Sequence, residues 1–172
     1  MSNTYVAIAT TTVGSGGAAN IEFTSIPQTY TDLIVKYSLR ATSNGNYVNN
    51  RFSFNGSTTG YTSRLLYGTG SASGSETNAV TDAIDFSAYS TGADATASTF
   101  GNGEIYIPNY TSSNNKSASI DGVSENNATT AVAALTAGLW SNSAAITSVK
   151  VTPSSGNFAQ YSTATLYGIK NS

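Results

Sequence analysis

Aromatic rings and carboxylates are the side chains in this sequence with chemistry to offer. Trp140 and the eleven tyrosines carry flat apolar faces with a polar tip, the combination that stacks on sugar rings while hydrogen bonding beside them. Trp140, Tyr61, Tyr89 and Tyr110, each near polar loop residues, are the candidate ligand contacts. Tyr37, Tyr106 and Tyr167 lie in alternating segments and are expected in or beside the core. The carboxylates nearest in sequence are Asp82 with Asp85 and Asp121 with Glu125. Paired acids hydrolyse glycosides when held at a fixed separation across a cleft, but pairs this close along a strand-rich chain more often cap turns, so no catalytic residue is assigned.

Other chemistries are narrowed by what the chain lacks. It has no histidine and no cysteine, which removes the usual general base, thiolate catalysis and the two commonest soft metal ligands. A serine nucleophile would then need a buried lysine beside it, and nothing in the sequence marks one. Calcium takes carboxylates, amides and carbonyls from loops, but no Asp-x-Asp-x-Asp-Gly pattern occurs, and no metal or cofactor is assigned. The Gly-rich "VGSGGAAN" at residues 13–20 runs into the alternating "IEF". A phosphate cradle needs a helix N-terminus at that point, so this is a turn between strands.

The elements that must position these residues are strands. Period-two alternation recurs along the chain between Gly, Asn and Ser clusters, the pattern of an antiparallel sandwich or barrel. In "DLIVKYSLRA", Leu33, Val35, Tyr37 and Leu39 share one face, with Lys36, Ser38 and Arg40 on the other. Phe52 and Phe54 point inward from "NNRFSFNG", and Asn55-Gly56 opens a turn suited to positive φ. Further strands are expected over residues 5–13, 18–24, 63–67, 83–86, 103–110 and 116–124, with "TSSNN" as a hairpin loop and Pro108 at a strand end. "TTAVAALTAGLW" fits helical spacing and alternation about equally. A strand is expected there because another follows at hairpin distance. "GTGSASG", residues 68–74, reads as a surface loop. About ten short strands in one domain, residues 1–172, point to an all-β, jelly-roll-like antiparallel sandwich.

Length and composition agree with one folded domain. The 172 residues are 39% hydrophobic and 10% aromatic, enough for a core, while only 9% are charged and the net charge is -2. The seven basic residues are scattered, so neither nucleic acid nor a membrane surface is an expected partner. No signal peptide or membrane-spanning run is present. The surface must then be largely hydroxyl and amide, an unusual way to stay soluble alone and one suited to contact with other proteins.

The run "LWSNSAAITSVKVTPSSGNFAQYSTATLYGI" resembles a module at the ends of many virion proteins of tailed bacteriophages, especially marine, cyanophage-like ones. The resemblance is carried by Leu139-Trp140, an Ile-Thr-Ser-Val strand at Ile146 to Val149, the Gly156 to Phe158 loop and the closing Leu166 to Ile169. "GGAANIEFTSIPQTYTDLIVKYSLRA" and "GEIYIPNYTSSNNKS" are similar to the corresponding parts of such proteins. The resemblance implies a non-enzymatic virion component, assembled in the host cytoplasm, and it identifies no site. A capsid decoration or cement protein, a trimer bound to the major capsid protein, is the first expectation, because the run ends within its last strand without an anchor. A tail-fibre or spike tip that binds host glycans is the alternative.

Overall fold

The "DLIVKYSLRA" alternation becomes β3 (Asp32–Leu39), with Leu33, Val35, Tyr37 and Leu39 buried and Lys36 exposed. Successive side chains of a strand point to opposite faces, so one row meets the core and the other does not. In the computed structural model, which describes residues 4–77, 80–126 and 130–170 and the side chains of all of these except 86–88, the same logic yields twelve named strands. The others are β1 (Tyr5–Thr12), β2 (Ile21–Phe23), β4 (Tyr47–Phe54), β5 (Tyr61–Gly68), β6 (Ser73–Thr77) and β7 (Ile84–Thr91). β8 (Gly101–Ile107), β9 (Lys116–Ser124), β10 (Val132–Trp140), β11 (Val149–Pro153) and β12 (Thr163–Ile169) complete the set.

These strands form two antiparallel sheets, one of eight strands in the order β1-β12-β3-β8-β9-β10-β5-β6 and one of four in the order β2-β11-β4-β7. The orders β1-β12-β3-β8 and β2-β11-β4-β7 are together those of an eight-stranded jelly roll, the expected architecture. Two hairpins are inserted into it. β5–β6 lies between β4 and β7 in sequence and β9–β10 between β8 and β11, and both add to the larger sheet beyond β8. The enlarged sheet curls over the β7 edge of the smaller one, where β9, β10 and β5 meet β7.

Between the sheets, Phe52, Phe54, Leu33, Val35, Leu39, Ile105, Ile120, Val149, Val151, Phe158 and Leu166 form one apolar core with Tyr61 and Trp140. Tyr61 and Trp140 stack with centroids 5.9 Å apart, and Phe54 meets Trp140 edge-on at 5.8 Å. The expected turn is present: Asn55 and Gly56 have φ of 53° and 65°, and Ser57 N–H donates to the Phe54 carbonyl at 2.9 Å. It carries the chain from one sheet to the other. The Gly-rich segment after β1 is a turn as well, with Gly17 at φ 70° and its N–H bonded to the Gly14 carbonyl.

Two local expectations are corrected, and the expected strand in "TTAVAALTAGLW" acquires its polarity. Ile146 to Ser148 precede β11 and belong to no ladder. They are held by the Tyr110 carbonyl, which accepts from Ile146 N–H, and by Asn55 Oδ1, which accepts from the amides of Thr147 and Ser148. The "GTGSASG" loop is shorter than expected, since Ser73 and Gly74 already pair in β6 and the bend is confined to residues 69–72, tied by Thr69 to Ala72. β10 turns its Val132, Thr136, Gly138 and Trp140 row inward and its Ala133, Leu135 and Ala137 row outward.

Candidate contact surface

All four nominated aromatics lie in the interior. Trp140 and Tyr61 are 1% exposed, Tyr89 4% and Tyr110 0%, so none of their faces is open to a sugar, and the expectation of exposed ligand contacts at these residues is corrected. The cause is alternation: Trp140 ends the inward row of β10 and Tyr61 begins that of β5, opposite each other in register. The phenol tips of Tyr61 and Tyr110 are used internally, whereas the buried Trp140 Nε1 has no hydrogen-bond partner among the described residues. Tyr61 Oη accepts from Phe54 N–H at 2.8 Å and donates to the Phe54 carbonyl at 3.2 Å, and Tyr110 Oη donates to the Pro27 carbonyl. Tyr89 meets Tyr47 edge-on at 5.3 Å. Burial pushes the phenols of Tyr61, Tyr89 and Tyr110 above their ordinary range.

One carboxylate of each acid pair is engaged by another partner. Asp85 is bound by Arg51 Nε at 3.1 Å, and Asp121 Oδ1 accepts from Glu104 N–H at 3.1 Å. Among the described residues no group of three His, Cys, Asp or Glu side chains is placed to hold a metal ion. Lys116 is buried, and desolvation lowers its pKa. Its Nζ donates to the carbonyls of Ser112 at 2.7 Å and Asn114 at 2.5 Å. Those bonds close the "TSSNN" hairpin loop.

What the fold does place in the open is an apolar face. On the outer side of the larger sheet, Leu66 is 59% exposed, Leu135 55% and Val123 45%. Register brings them together: Leu135 of β10 lies directly opposite Leu66 of β5 on one side and Asp121 of β9 on the other. Ala133 is opposite Val123, and Ala137 is opposite both Arg64 and Ser119. Beside Leu135 the small side chains of Ser117, Ser119 and Ala137 leave a shallow trough of about 380 Å³ walled by Tyr106 and Pro108. Charge enters the face at Arg64 and Asp121, one strand to either side of β10, and beyond β9 in an exposed Lys36–Glu104 pair at 2.5 Å.

The alternation in "TTAVAALTAGLW" sets Ala133, Leu135 and Ala137 on one face, and nothing in the segment itself tells that this face is the outward one. A Leu-rich row reads as interior, whereas here the inward row is the one that carries Gly138 and Thr136. The reason is the floor of the core: a Cβ on Gly138 would stand 2.8 Å from Ile84, so only glycine fits over β7. Compared with known proteins, the chain matches no family model, no curated protein and no solved structure.

Proposed function

We propose that this protein is a non-catalytic structural component of a tailed-bacteriophage virion, in first place a capsid decoration protein, whose work is adhesion to other proteins of the particle. The observation that carries the adhesive part is the position of Leu66, Val123 and Leu135. All three stand on the two hairpins inserted into an otherwise complete jelly roll, where additions to a scaffold can serve function without serving the core. Removing three half-exposed aliphatic side chains from water is worth roughly 1 kcal/mol each. Such weak contacts hold firmly when many copies act together. The virion assignment itself rests on the resemblance of residues 139–169 to phage virion modules.

The test is copy number on purified particles, measured by quantitative mass spectrometry against the major capsid protein. Hundreds of copies fit head decoration, a few to some tens fit a tail, and absence from particles refutes the reading. The glycan-binding tail tip is the weaker alternative, since its four nominated aromatics are interior. It would have to use other exposed tyrosines, such as Tyr161, which stands 67% exposed in the loop before β12, or Tyr5 and Tyr47.

A further inference from the structure

We infer that the outer face of β5, β10 and β9 pairs with the same face of a second copy of this chain about a two-fold axis. The inference rests on the reading of that face as a protein-contact surface and names its occupant. Two exposed ions on the face support it. Arg64 lies one strand to one side of β10, opposite Ala137, and Asp121 lies one strand to the other side, opposite Leu135. The ion pairs among the described residues are Lys36–Glu104 and Arg51–Asp85, so neither Arg64 nor Asp121 is held in a direct ion pair, although Lys36 is near enough to Asp121 to feel its charge. The Arg64 guanidinium instead reaches only its neighbour's carbonyl, at Ser63.

An isologous contact requires each feature of the face to find its complement on the identical face. An axis lying in the interface over the midpoint between Leu135 and Ala137, perpendicular to the Arg64–Asp121 diagonal, exchanges these two positions. Arg64 of each copy then sits over Asp121 of the other. With strands about 4.8 Å apart and two residues spanning about 6.7 Å along a strand, the same axis brings Leu66 of one copy over Leu135 of the other and Ala137 over Ser119. Two ion pairs and two leucine contacts thus follow from one operation. The size is adequate as well. The contact reaches this by extending beyond the three strands: β5, β10 and β9 alone span roughly 400 Å², and the six strands from β6 to β3, at that spacing and about eight residues long, roughly 800 Å², the area per partner of a standard interface. A two-fold pair is therefore the oligomer this face favours, in place of the trimer expected from sequence.

The experiment is analytical ultracentrifugation of the purified full chain over a concentration series, alongside retention on particles. The wild type should sediment as a concentration-dependent dimer. Leu135→Asp and Leu66→Asp should be monomeric with unchanged circular dichroism and melting. Arg64→Asp alone and Asp121→Arg alone should each weaken dimerisation roughly tenfold or more through like-charge apposition, and the two together in one chain should restore it. A monomeric wild type, a dimer indifferent to both leucine variants, or a double reversal no better than its singles would overturn the pairing. A monomer that remains on particles would overturn it while leaving the virion reading intact. A dimer that never associates with particles would support the pairing and count against that reading.

Discussion

Asn55 holds φ 53°, a conformation that costs most L-residues about 1 kcal/mol or more, and its amide joins three points of the loop before β11. Nδ2 donates to the Ala145 carbonyl at 2.8 Å, and Oδ1 accepts from the amides of Thr147 at 2.7 Å and Ser148 at 3.1 Å. Asn55→Ala should lose these bonds and keep the strain, destabilising by about 2–3 kcal/mol. Asn55→Gly, which relieves the strain, should lose less, and the difference between their urea midpoints measures the backbone part. The buried phenols give a pH signature. Burial raises the pKa of Tyr37, Tyr61, Tyr89 and Tyr110 above the ordinary 10.0, and the hydrogen bond to Asp32 does so for Tyr106. The folded state therefore keeps protons that the unfolded chain releases, so stability is whole below about pH 10 and falls as pH rises beyond it. Lys116, with its pKa lowered, opposes this with a single group. The urea midpoint should drop above pH 10, with the tyrosinate absorbance of the buried Tyr37, Tyr61, Tyr89 and Tyr110 appearing as the protein unfolds. A flat midpoint would contradict the burial of these rings. The Asn55-Gly56 turn was legible in sequence because its preference is local. The burial of Trp140 and Tyr61 was not, since it depends on which sheet each strand joins.

In β10 the alternation itself was readable and its polarity was not. Sequence rules favour replacing Gly138 by a β-branched residue in a strand, yet Ile84 occupies the space where its Cβ would go. Gly138→Val should therefore destabilise, by about 1–3 kcal/mol for overpacking a tight core. A stabilised variant would mean that β10 does not lie over β7. The strict alternation of β9 from Lys116 to Ser124 agrees with residue type from Ser117 to Asp121 and departs from it where Gly122 faces in and Val123 out. Lys116 is a further exception: a lysine at an inward position reads as a strand end in contact with water, and only the fold reveals the two carbonyls that receive it. β6 went unread because Gly and Ser dominate it, and it joins the sheet at its edge by pairing with β5.

The chain as a whole shows its class readily and its topology hardly at all. Alternation and turn chemistry suffice for an antiparallel sandwich, whereas the insertion of β5–β6 and β9–β10 into one sheet depends on long-range pairing, such as β10 with β5 across some seventy residues of intervening chain. That insertion creates the outward apolar face, which is why the face was missed. With 9% charged residues, attachment through such surfaces should be only mildly weakened between low and moderate salt, because screening acts on exposed ions. Steep loss of the protein from particles over that range would contradict an apolar mode of contact. Because the chain has no cysteine, Leu135→Cys would place a unique thiol at the centre of the face. In dilute free protein that thiol should react rapidly with a maleimide, and in the protein bound to particles it should be protected. Labelling on the particle at the full rate of the dilute protein would show that the face meets no other protein there, and the account of this molecule as an adhesive scaffold acting through β5, β9 and β10 would fail.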